Sequence, residues 1–207
     1  MPPPKFIFVR HGEAEHNVAF HEVGNAAFTD PKYKDARLTE EGHKQARATG
    51  EALQNLKILD LWCSPLTRCI QTAEEIFEAN DITNLVLHDS LLERQCFSQP
   101  CNERRSRGEL RKEFPMFKRD YLSEMTAYFF KPEPPFAIHQ RMMAFALWLA
   151  HHYKDAPPDS HLVLVSHGHA IGYLTGKTLK NAEYVVMSLD ELTSIRKDEP
   201  TGSETLD

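Results

Sequence analysis

The sequence predicts an α/β fold, a three-layer α/β/α sandwich in which helices cover both faces of a mostly parallel sheet. Short apolar stretches alternate along the chain with segments of helical periodicity, which is typical of right-handed strand–helix–strand units. Residues 5–9 (KFIFV) are almost entirely apolar, as expected for a strand that is buried on both faces. A length of 207 residues is sufficient for one domain with its own core.

The elements that follow the first strand are placed by helix starts and by apolar runs. Thr39 is predicted to cap a helix whose first turn carries two glutamates, which suits the positive end of the helix dipole. Residues 58–62 are predicted to form the second strand. Ser64 and Pro65 then predict another helix start, with the serine as N-cap and the proline at the first helical position. Residues 85–87 are the predicted third strand.

The second half of the chain repeats the strand and helix alternation. Four apolar residues recur at helical spacing and predict a long core helix: Ile138, Met142, Phe145 and Leu149. Residues 161–165 are predicted to form the fourth strand and 170–179 the helix after it. Residues 184–187 are a candidate last strand.

Two segments depart from this pattern. Residues from about 95 to 135 are polar, basic and interrupted by proline, with a capping box at Ser106 and Glu109. We interpret them as a lid insertion over the sheet, within a single domain of residues 1–207. The tail from about 197 to 207 is polar and is predicted to be flexible. Seven basic residues of the insertion are either a solvated face or, on a lid, a site for a second anionic group: Arg104, Arg105, Arg107, Arg111, Lys112, Lys118 and Arg119.

Composition excludes several broad classes of protein. Lys and Arg number 24 against 30 for Asp and Glu, a formal net charge of −6, which argues against a surface that binds nucleic acid. No apolar run is long enough to cross a membrane, and no signal peptide precedes the first strand. We therefore expect a cytoplasmic protein, whose oligomeric state the sequence leaves open. The absence of a C-x-x-C pair favours reduced thiols over zinc for the four cysteines: Cys63, Cys69, Cys96 and Cys101.

Polar side chains follow each of the four predicted parallel strands. Because ligands bind beyond the carboxyl ends of the strands in an open α/β sheet, these residues are expected to meet at one site. In chain order the group comprises Arg10 and His11, then Arg68, then Glu93, then His167 and His169, with Gly12 and Gly168 after two of the histidines. Such glycines allow backbone to approach a ligand closely.

This set of residue types suits phosphoryl transfer. Two guanidinium groups bind a phosphate through paired hydrogen bonds and keep their charge. A histidine that is neutral near physiological pH can act as the nucleophile, and a second histidine, held protonated by the anion, can stabilise the transferring group. A carboxyl group can protonate the leaving oxygen and then activate water. Together they predict a reaction through a phosphohistidine, with no metal and no cofactor.

Four motifs occur in one order along the chain. They are RHGEAEHN at 10–17, LTEEG at 38–42, SPLTRCIQTA at 64–73 and VSHG at 165–168. They resemble the R-H-G-E-x-x-x-N, L-T-x-x-G, S-P-L-x-R-x-x-Q-T-A and S-H-G segments of the histidine phosphatase superfamily, the phosphoglycerate-mutase-like proteins. The resemblance covers residues 5 to about 176.

The resemblance implies His11 as the phosphorylated nucleophile and Arg10, Arg68 and His167 as the phosphate pocket, with Asn17 beside it. Glu93, in the sequence LLER, falls where the family keeps its acid/base carboxylate; Glu13 and Glu15 are the competing acids. Further substrate contacts are predicted for Arg94, Gly168 and His169. The remaining histidines, His16 among them, are predicted to be surface or packing residues.

The sequence also departs from the family pattern after Glu93. Many members continue with a glycine and then W-E-G, whereas this chain reads QCFSQ at 95–99, and the longer E-R-H-Y-G-G stretch of extended mutases is absent. The leading hypothesis is therefore a phosphatase that acts on a small phosphorylated substrate. A phosphoglycerate-type mutase and a non-catalytic module that binds a phosphorylated ligand remain the alternatives, and the substrate itself is not indicated.

Overall fold

The computed structural model describes residues 3–94, 99–124 and 133–195. Within these ranges six strands form one sheet: β1 (Lys5–Arg10), β2 (Lys57–Cys63), β3 (Asn84–His88), β4 (Arg119–Tyr121), β5 (Ser160–Ser166) and β6 (Tyr184–Met187). Their order is β4-β3-β2-β5-β1-β6. All neighbours are parallel except β6, which pairs antiparallel with β1. The mostly parallel sheet and the strands predicted from the sequence are confirmed.

The helices of the described residues are α1 (Glu15–Val23), α2 (Ala26–Thr29), α3 (Glu40–Leu53), α4 (Thr67–Glu78), α5 (Arg107–Glu113), α6 (Pro135–His152), α7 (Gly168–Thr175) and α8 (Leu189–Ser194). Short 3₁₀ turns occur at Pro31–Tyr33, Asp89–Leu91 and Pro100–Asn102. None of these helices is both long enough and apolar enough to cross a membrane.

The alternating side chains of β1 build two hydrophobic cores. Phe6 and Phe8 pack on one face of the sheet with residues of α6, α7 and α8. Ile7 and Val9 pack on the other face with residues of α3, α4 and α5. All four of these side chains are fully buried, so the sheet is covered on both faces, as the apolar run at 5–9 predicts.

The helix after β2 begins differently from the prediction. Ser64 is not its N-cap, because α4 starts at Thr67 with Leu66 in the capping position. The backbone N–H of Thr67 instead donates to the carboxylate of Asp35, 32 residues earlier in the chain, at 2.8 Å. This long-range cap leaves the hydroxyl of Ser64 available to His167 in the site described below.

Two further helix starts agree with the sequence, and one helix end does not. Thr39 accepts the N–H of Gly42 at 3.0 Å, as predicted for an N-cap. The capping box of Ser106 and Glu109 is present at the start of α5. The helix predicted at 170–179 ends at Thr175, because the next residue, Gly176, adopts a left-handed conformation (φ 67°) that terminates the helix.

The described part of the insertion joins the sheet and one of the cores. β4 pairs parallel with β3 and becomes an edge strand, and four side chains of the insertion enter the core beside α4: Leu110, Phe114, Phe117 and Leu122. Residues 95–98 and 125–132 of the insertion, with Cys96, lie outside the described residues, as does the tail at 197–207. The lid role of the insertion stays a prediction.

Candidate active site

The predicted site residues lie together at the carboxyl ends of the parallel strands, where an open α/β sheet binds its ligands. They border a cavity of about 930 Å³. Eight of them line it directly: Arg10, His11, Asn17, Arg68, Glu93, Arg94, Gly168 and His169. His167 is fully buried beside the cavity and contacts Arg68.

The loop after β1 packs backbone against backbone on the first turn of α3. A Cβ atom on Gly12 would lie 2.4 Å from the carbonyl oxygen of Gly42, and one on Gly42 would lie 2.0 Å from that of Glu13. Only glycine permits so close an approach. The N–H of Gly12 also donates to Oγ1 of Thr72 at 3.0 Å. These contacts fix the backbone of His11 against α3 and α4.

The ring of His11 is oriented by a hydrogen bond at each nitrogen. Its Nδ1 lies 2.7 Å from the carbonyl oxygen of Gly12, so this nitrogen carries the proton. Nε2 faces the cavity side and accepts a hydrogen bond from Nε of Arg68 at 3.2 Å. Burial, followed by the charges of Arg68 and Arg10, holds the pKa of His11 well below its usual value. The imidazole is therefore neutral at physiological pH, with the lone pair of Nε2 available as a nucleophile.

Arg68 is buried and forms hydrogen bonds both with the two histidines His11 and His167 and with residues of the insertion. Its Nη1 donates to the carbonyl oxygen of Cys101 at 2.6 Å, and its Nη2 donates to Oδ1 of Asn102 at 2.8 Å. Asn102 is itself buried and lines the cavity. Sequence reasoning missed it, because nothing in a polar loop indicates which amide reaches across 34 residues to an arginine.

Arg10 presents a buried donor to the cavity. Its Nη1 donates to the carbonyl oxygen of Leu179 at 2.8 Å, whereas its Nε is buried without an acceptor among the described residues. Gly168 packs against this side chain, since a Cβ there would lie 3.4 Å from the same Nε. A buried N–H without an acceptor is costly, and an anion in the cavity would satisfy it.

The second histidine of the pocket, His167, is neutral in this arrangement of the site. Its Nδ1 accepts a hydrogen bond from Nη2 of Arg68 at 3.1 Å, which leaves Nε2–H to donate to the hydroxyl of Ser64 at 2.8 Å. Burial and the charge of Arg68 hold its pKa well below the usual value. A protonated His167, as expected from the sequence, therefore requires the negative charge of a bound phosphate.

Glu93 is held by the backbone N–H of the next residue, Arg94, and by two backbone N–H groups in the first turn of α7. Oε1 accepts from the N–H of Arg94 at 2.7 Å and of Ala170 at 3.1 Å, and Oε2 accepts from the N–H of His169 at 3.3 Å. Oε2 also lies 3.5 Å from Nδ1 of His169. Burial alone raises the pKa of Glu93, but the hydrogen bond and charge of His169, with the other contacts, lower it to about 2.

The two competing acids do not line the cavity. Glu13 accepts a hydrogen bond from Thr39 at the cap of α3. Glu15 contacts the backbone of Arg37. Glu93 is thus the acid of this group that lines the cavity in the described residues.

Asn17 and Asn181, which lies in the loop after α7, form hydrogen bonds with the backbone of residues 11–14. Oδ1 of Asn17 accepts the N–H of Ala14 at 3.0 Å and so caps α1, which begins without a capping side chain of its own. Nδ2 of Asn181 donates to the carbonyl oxygen of His11 at 3.1 Å. Asn181 belongs to a segment that no sequence signal assigned to the site.

His16 and two aromatic residues form a wall that the sequence did not predict. Of the two roles predicted for it, surface or packing, the structure shows a buried residue, but His16 also lines the cavity, and its Nδ1 lacks a hydrogen-bond partner among the described residues. Burial is the main cause that lowers its pKa to about 2. Phe28 lies 6.1 Å from its ring and stacks on Phe20 at 5.2 Å.

The basic residues of the insertion do not line the cavity in the described part of the chain. Arg105 pairs with Asp35 at 2.8 Å, and both Arg107 and Arg111 pair with Asp120. These pairs engage the guanidinium groups with carboxylates and argue against a site for a second anion, whereas Arg104, which is buried and pairs with Asp89 at 3.2 Å, does not belong to a solvated face either. Arg94 is different, because it lines the cavity while its Nε donates to the carbonyl oxygen of Glu133 at 3.3 Å.

The chain matches the family model of the histidine phosphatase superfamily (branch 1) over residues 6–200. It is 34% identical over 88 residues to a probable phosphatase of Schizosaccharomyces pombe, a match that covers 42% of this chain and 28% of the relative. It is 38% identical over 80 residues to a phosphoglycerate mutase of Candida albicans, covering 38% of this chain and 29% of the relative. The matches thus span less than a third of the length of these relatives.

The fold is also found in solved structures. One described as mycobacterial hydrolase 1 superposes with a TM-score of 0.64, at 20% identity, and covers 89% of each chain. At this identity the likeness concerns the fold.

Proposed function

Since the chain belongs to the histidine phosphatase superfamily (branch 1), we propose that it is a metal-independent phosphomonoester hydrolase that acts through a phosphohistidine on His11. The observation that carries the proposal is the state of His11. Its ring is neutral, Nδ1 is held by the carbonyl oxygen of Gly12, and Nε2 lies beside the guanidinium of Arg68 in the cavity. This is the form that an attacking imidazole requires.

Binding of the substrate phosphate rearranges the hydrogen-bond donors of the site. The Nε of Arg68 exchanges its acceptor on His11 for a phosphate oxygen, and the buried Nε of Arg10 gains an acceptor. Two fixed positive charges in a buried site stabilise the charge on the transferring group. Asn17, Gly168 and Arg94 line the same cavity and are proposed to contact the substrate.

The reaction has two steps. Nε2 of His11 attacks phosphorus and the bond to the leaving oxygen breaks, which gives an alcohol and a phosphohistidine. Water then attacks the phosphohistidine, which gives inorganic phosphate and free His11. Glu93, whose carboxyl pKa rises when the negative charge of the phosphate binds beside it, is proposed to protonate the leaving oxygen in the first step and to take a proton from the attacking water in the second.

A mutase is the second candidate, because one of the similar proteins is a phosphoglycerate mutase. A mutase returns the phosphoryl group to the substrate, whereas a phosphatase transfers it to water. The absence of the extended mutase stretch from the sequence favours the phosphatase. The proposal further takes residues 1–207 as one cytoplasmic domain that acts on a small phosphorylated substrate.

A panel of phosphomonoesters scored for both free phosphate and rearranged product tests the proposal. We expect free phosphate as the product, and a loss of about 10³-fold or more in kcat/KM for His11→Asn. His151→Asn, in an exposed part of α6, is the matched control and is expected to behave as wild type. Wild-type phosphate release by His11→Asn would refute the mechanism, and isomerised phosphate as the main product would establish the mutase.

A further inference from the structure

Two phenylalanines of α1 and α2 line the cavity instead of the hydrophobic cores. Phe20 and Phe28 border the cavity, and neither ring belongs to the two sheet cores of the described residues. The rings stack with centroids 5.2 Å apart, and both residues are only partly buried. Contiguous apolar surface that a protein does not bury in its own core is typical of a binding groove. This pair of rings therefore indicates an apolar surface that a ligand covers.

A row of rings connects the nucleophile to this surface. The ring centroid of His16 lies 6.1 Å from that of His11 and 6.1 Å from that of Phe28, and Phe20 follows behind Phe28. An in-line attack places the leaving oxygen on the side of phosphorus that faces away from Nε2 of His11. The organic group of the substrate thus lies farther from His11 than the phosphate does. The phenyl rings lie at that greater distance, beyond the ring of His16.

The rings are also connected to the donors of the phosphate pocket. Sγ of Cys101 donates to the carbonyl oxygen of Phe28 at 3.7 Å. The carbonyl oxygen of the same cysteine accepts the 2.6 Å hydrogen bond from Nη1 of Arg68. Phe28 is thus linked to His11 through His16 and to Arg68 through Cys101. These two links fix the apolar surface relative to the position of the phosphate.

The three rings of this wall carry no charge at physiological pH. Two are phenyl groups, and burial is the main cause that lowers the pKa of the third, His16, to about 2. Hydroxyl groups placed against the two phenyl faces would lose hydrogen bonds to water and gain none from the rings, which is costly. A planar apolar group has no such cost and gains stacking contacts. The wall therefore favours an apolar leaving group over a polyhydroxylated one.

The cavity is much larger than a phosphate group. Its volume of about 930 Å³ lies near the upper end of the roughly 300–1,000 Å³ that accommodates a drug-sized ligand. Three exposed residues of the same segment also line it: His21, Asn25 and Thr29. The cavity therefore reaches the protein surface beside the phenyl rings, and a leaving group has room to lie over them.

We propose that the rings of His16, Phe20 and Phe28 form the subsite for the leaving group, and that the substrate is the phosphomonoester of an aromatic or similarly planar apolar alcohol. The inference rests on the proposed function and names the substrate class of that same site. The phosphate pocket and the two chemical steps are unchanged. Contacts with the rings add binding energy for such alcohols and thereby select them.

The first experiment compares 3-phenylpropyl phosphate with glycerol 1-phosphate. Both esters release a primary alcohol, and glycerol is the more acidic of the two, so the chemistry of departure alone would favour glycerol 1-phosphate. We expect wild-type kcat/KM to be at least tenfold higher for 3-phenylpropyl phosphate. The gain is expected mainly as a lower KM, because contacts made equally in the ground state and the transition state lower KM and leave kcat unchanged.

The second experiment removes each phenyl ring in turn. Phe20→Ala and Phe28→Ala are each expected to lower the ratio of the two kcat/KM values, 3-phenylpropyl over glycerol, by about tenfold. Phe28→Leu keeps an apolar side chain and is expected to retain part of the preference. Phe136→Ala is the matched control, because it removes a phenylalanine ring that is 63% exposed, lies in the first turn of α6 and does not border the cavity. This control is expected to keep the wild-type ratio.

A third experiment uses wild-type protein alone and so does not depend on the folding of a variant. It measures inhibition of 4-nitrophenyl phosphate hydrolysis by 3-phenylpropylphosphonate and by methylphosphonate, whose P–C bonds are not hydrolysed. We expect the phenylpropyl compound to inhibit at a concentration at least tenfold lower.

Three results would overturn the inference. They are a wild-type kcat/KM for glycerol 1-phosphate that equals or exceeds that for the phenylpropyl ester, a ratio that folded Phe20→Ala and Phe28→Ala leave at the wild-type value, and equal inhibition by the two phosphonates. Each of them is read on an enzyme that releases phosphate through His11. Failure of the proposed function is different, because the wild type would then release phosphate from neither ester.

Discussion

Replacement of Gly42 by alanine tests whether the contact between α3 and the loop after β1, which carries His11, stabilises the fold. The added Cβ would lie 2.0 Å from the carbonyl oxygen of Glu13 and 3.0 Å from its carbonyl carbon and nitrogen. An ordinary contact of this kind needs about 1.4 Å more, and the obstacle is backbone, which cannot rotate away. The loop that carries His11 must therefore separate from α3.

The size of the effect follows from three contributions. Overpacking costs about 1–3 kcal/mol. Separation also weakens the cap of α3, because Thr39 donates to Glu13 through both its backbone and its hydroxyl group, and a lost cap costs about 1 kcal/mol. Alanine is better than glycine in a helix by about 1 kcal/mol at most. The net loss in the free energy of unfolding is about 2 kcal/mol, or a fall of about 4–8 °C in Tm for a chain of this size.

Thermal unfolding of Gly42→Ala and Gly108→Ala, followed by calorimetry, checks this expectation. Gly108 is the matched control, because it lies in the first turn of α5 and a Cβ there meets nothing within 4 Å. We expect Gly108→Ala to be stabilised by up to about 1 kcal/mol. A Gly42→Ala protein as stable as wild type, or an equal change in both variants, would show that the close contact between this loop and α3 does not stabilise the fold.

Three further changes probe the site. Ser64→Ala removes the hydroxyl acceptor of the buried Nε2–H of His167 and leaves it only the weaker acceptor Sγ of Cys69, at 3.4 Å, and is expected to lower the free energy of unfolding in urea by about 1 kcal/mol; a change below about 0.3 kcal/mol would contradict this. Asn102→Asp places a carboxylate 2.8 Å from Arg68 and is expected to weaken inhibition by inorganic phosphate about tenfold or more, whereas unaltered inhibition would exclude a phosphate at Arg68. His16 has a pKa of about 2 in the folded chain, whereas the ordinary value for histidine is 6.5. Between pH 6.5 and pH 2 the His16 ring is therefore protonated in the unfolded chain and neutral in the folded one. As the pH falls below 6.5, this difference lowers the free energy of unfolding. Urea unfolding at pH 7 and 5.5 is expected to show a loss about 1 kcal/mol larger in wild type than in His16→Gln, and parallel losses would contradict the buried neutral ring.

The sequence was sufficient to predict the elements whose pattern is local. The continuous apolar run at 5–9 predicts a strand that is buried on both faces, and the apolar residues at helical spacing around Met142 predict a helix that is buried on one face. Both elements are confirmed. The convergence of Arg10, Arg68 and Glu93 follows from the rule for parallel strand ends, and these side chains do line one cavity. Their catalytic roles stay predictions.

Contacts between distant segments escaped the sequence. Asp35 caps α4 across 32 residues, and this is why Ser64 serves His167 in place of a helix start. Asn102 reaches Arg68 from the insertion. Which residues form such long-range hydrogen bonds depends on how the loops cross in space. The sequence around a polar loop residue does not indicate which distant group it will contact.

The protonation states also depend on the folded surroundings. A glutamate after the third strand is an acid/base candidate in the sequence, but its proton affinity is set by the N–H groups of Arg94 and Ala170 and by the ring of His169. The same is true of His16, whose burial against Phe28 makes it a neutral wall of the cavity.

Detection of the covalent intermediate decides whether the reaction passes through a phosphohistidine on His11. Wild-type protein mixed with 4-nitrophenyl phosphate is quenched in alkali within the first turnover, digested, and analysed by mass spectrometry for phosphate that is stable to alkali and labile to acid. We expect one phosphate on the peptide that contains His11, formed at least as fast as steady-state turnover, and none in His11→Asn. Phosphate release without this intermediate, or label on a residue other than His11, would contradict it.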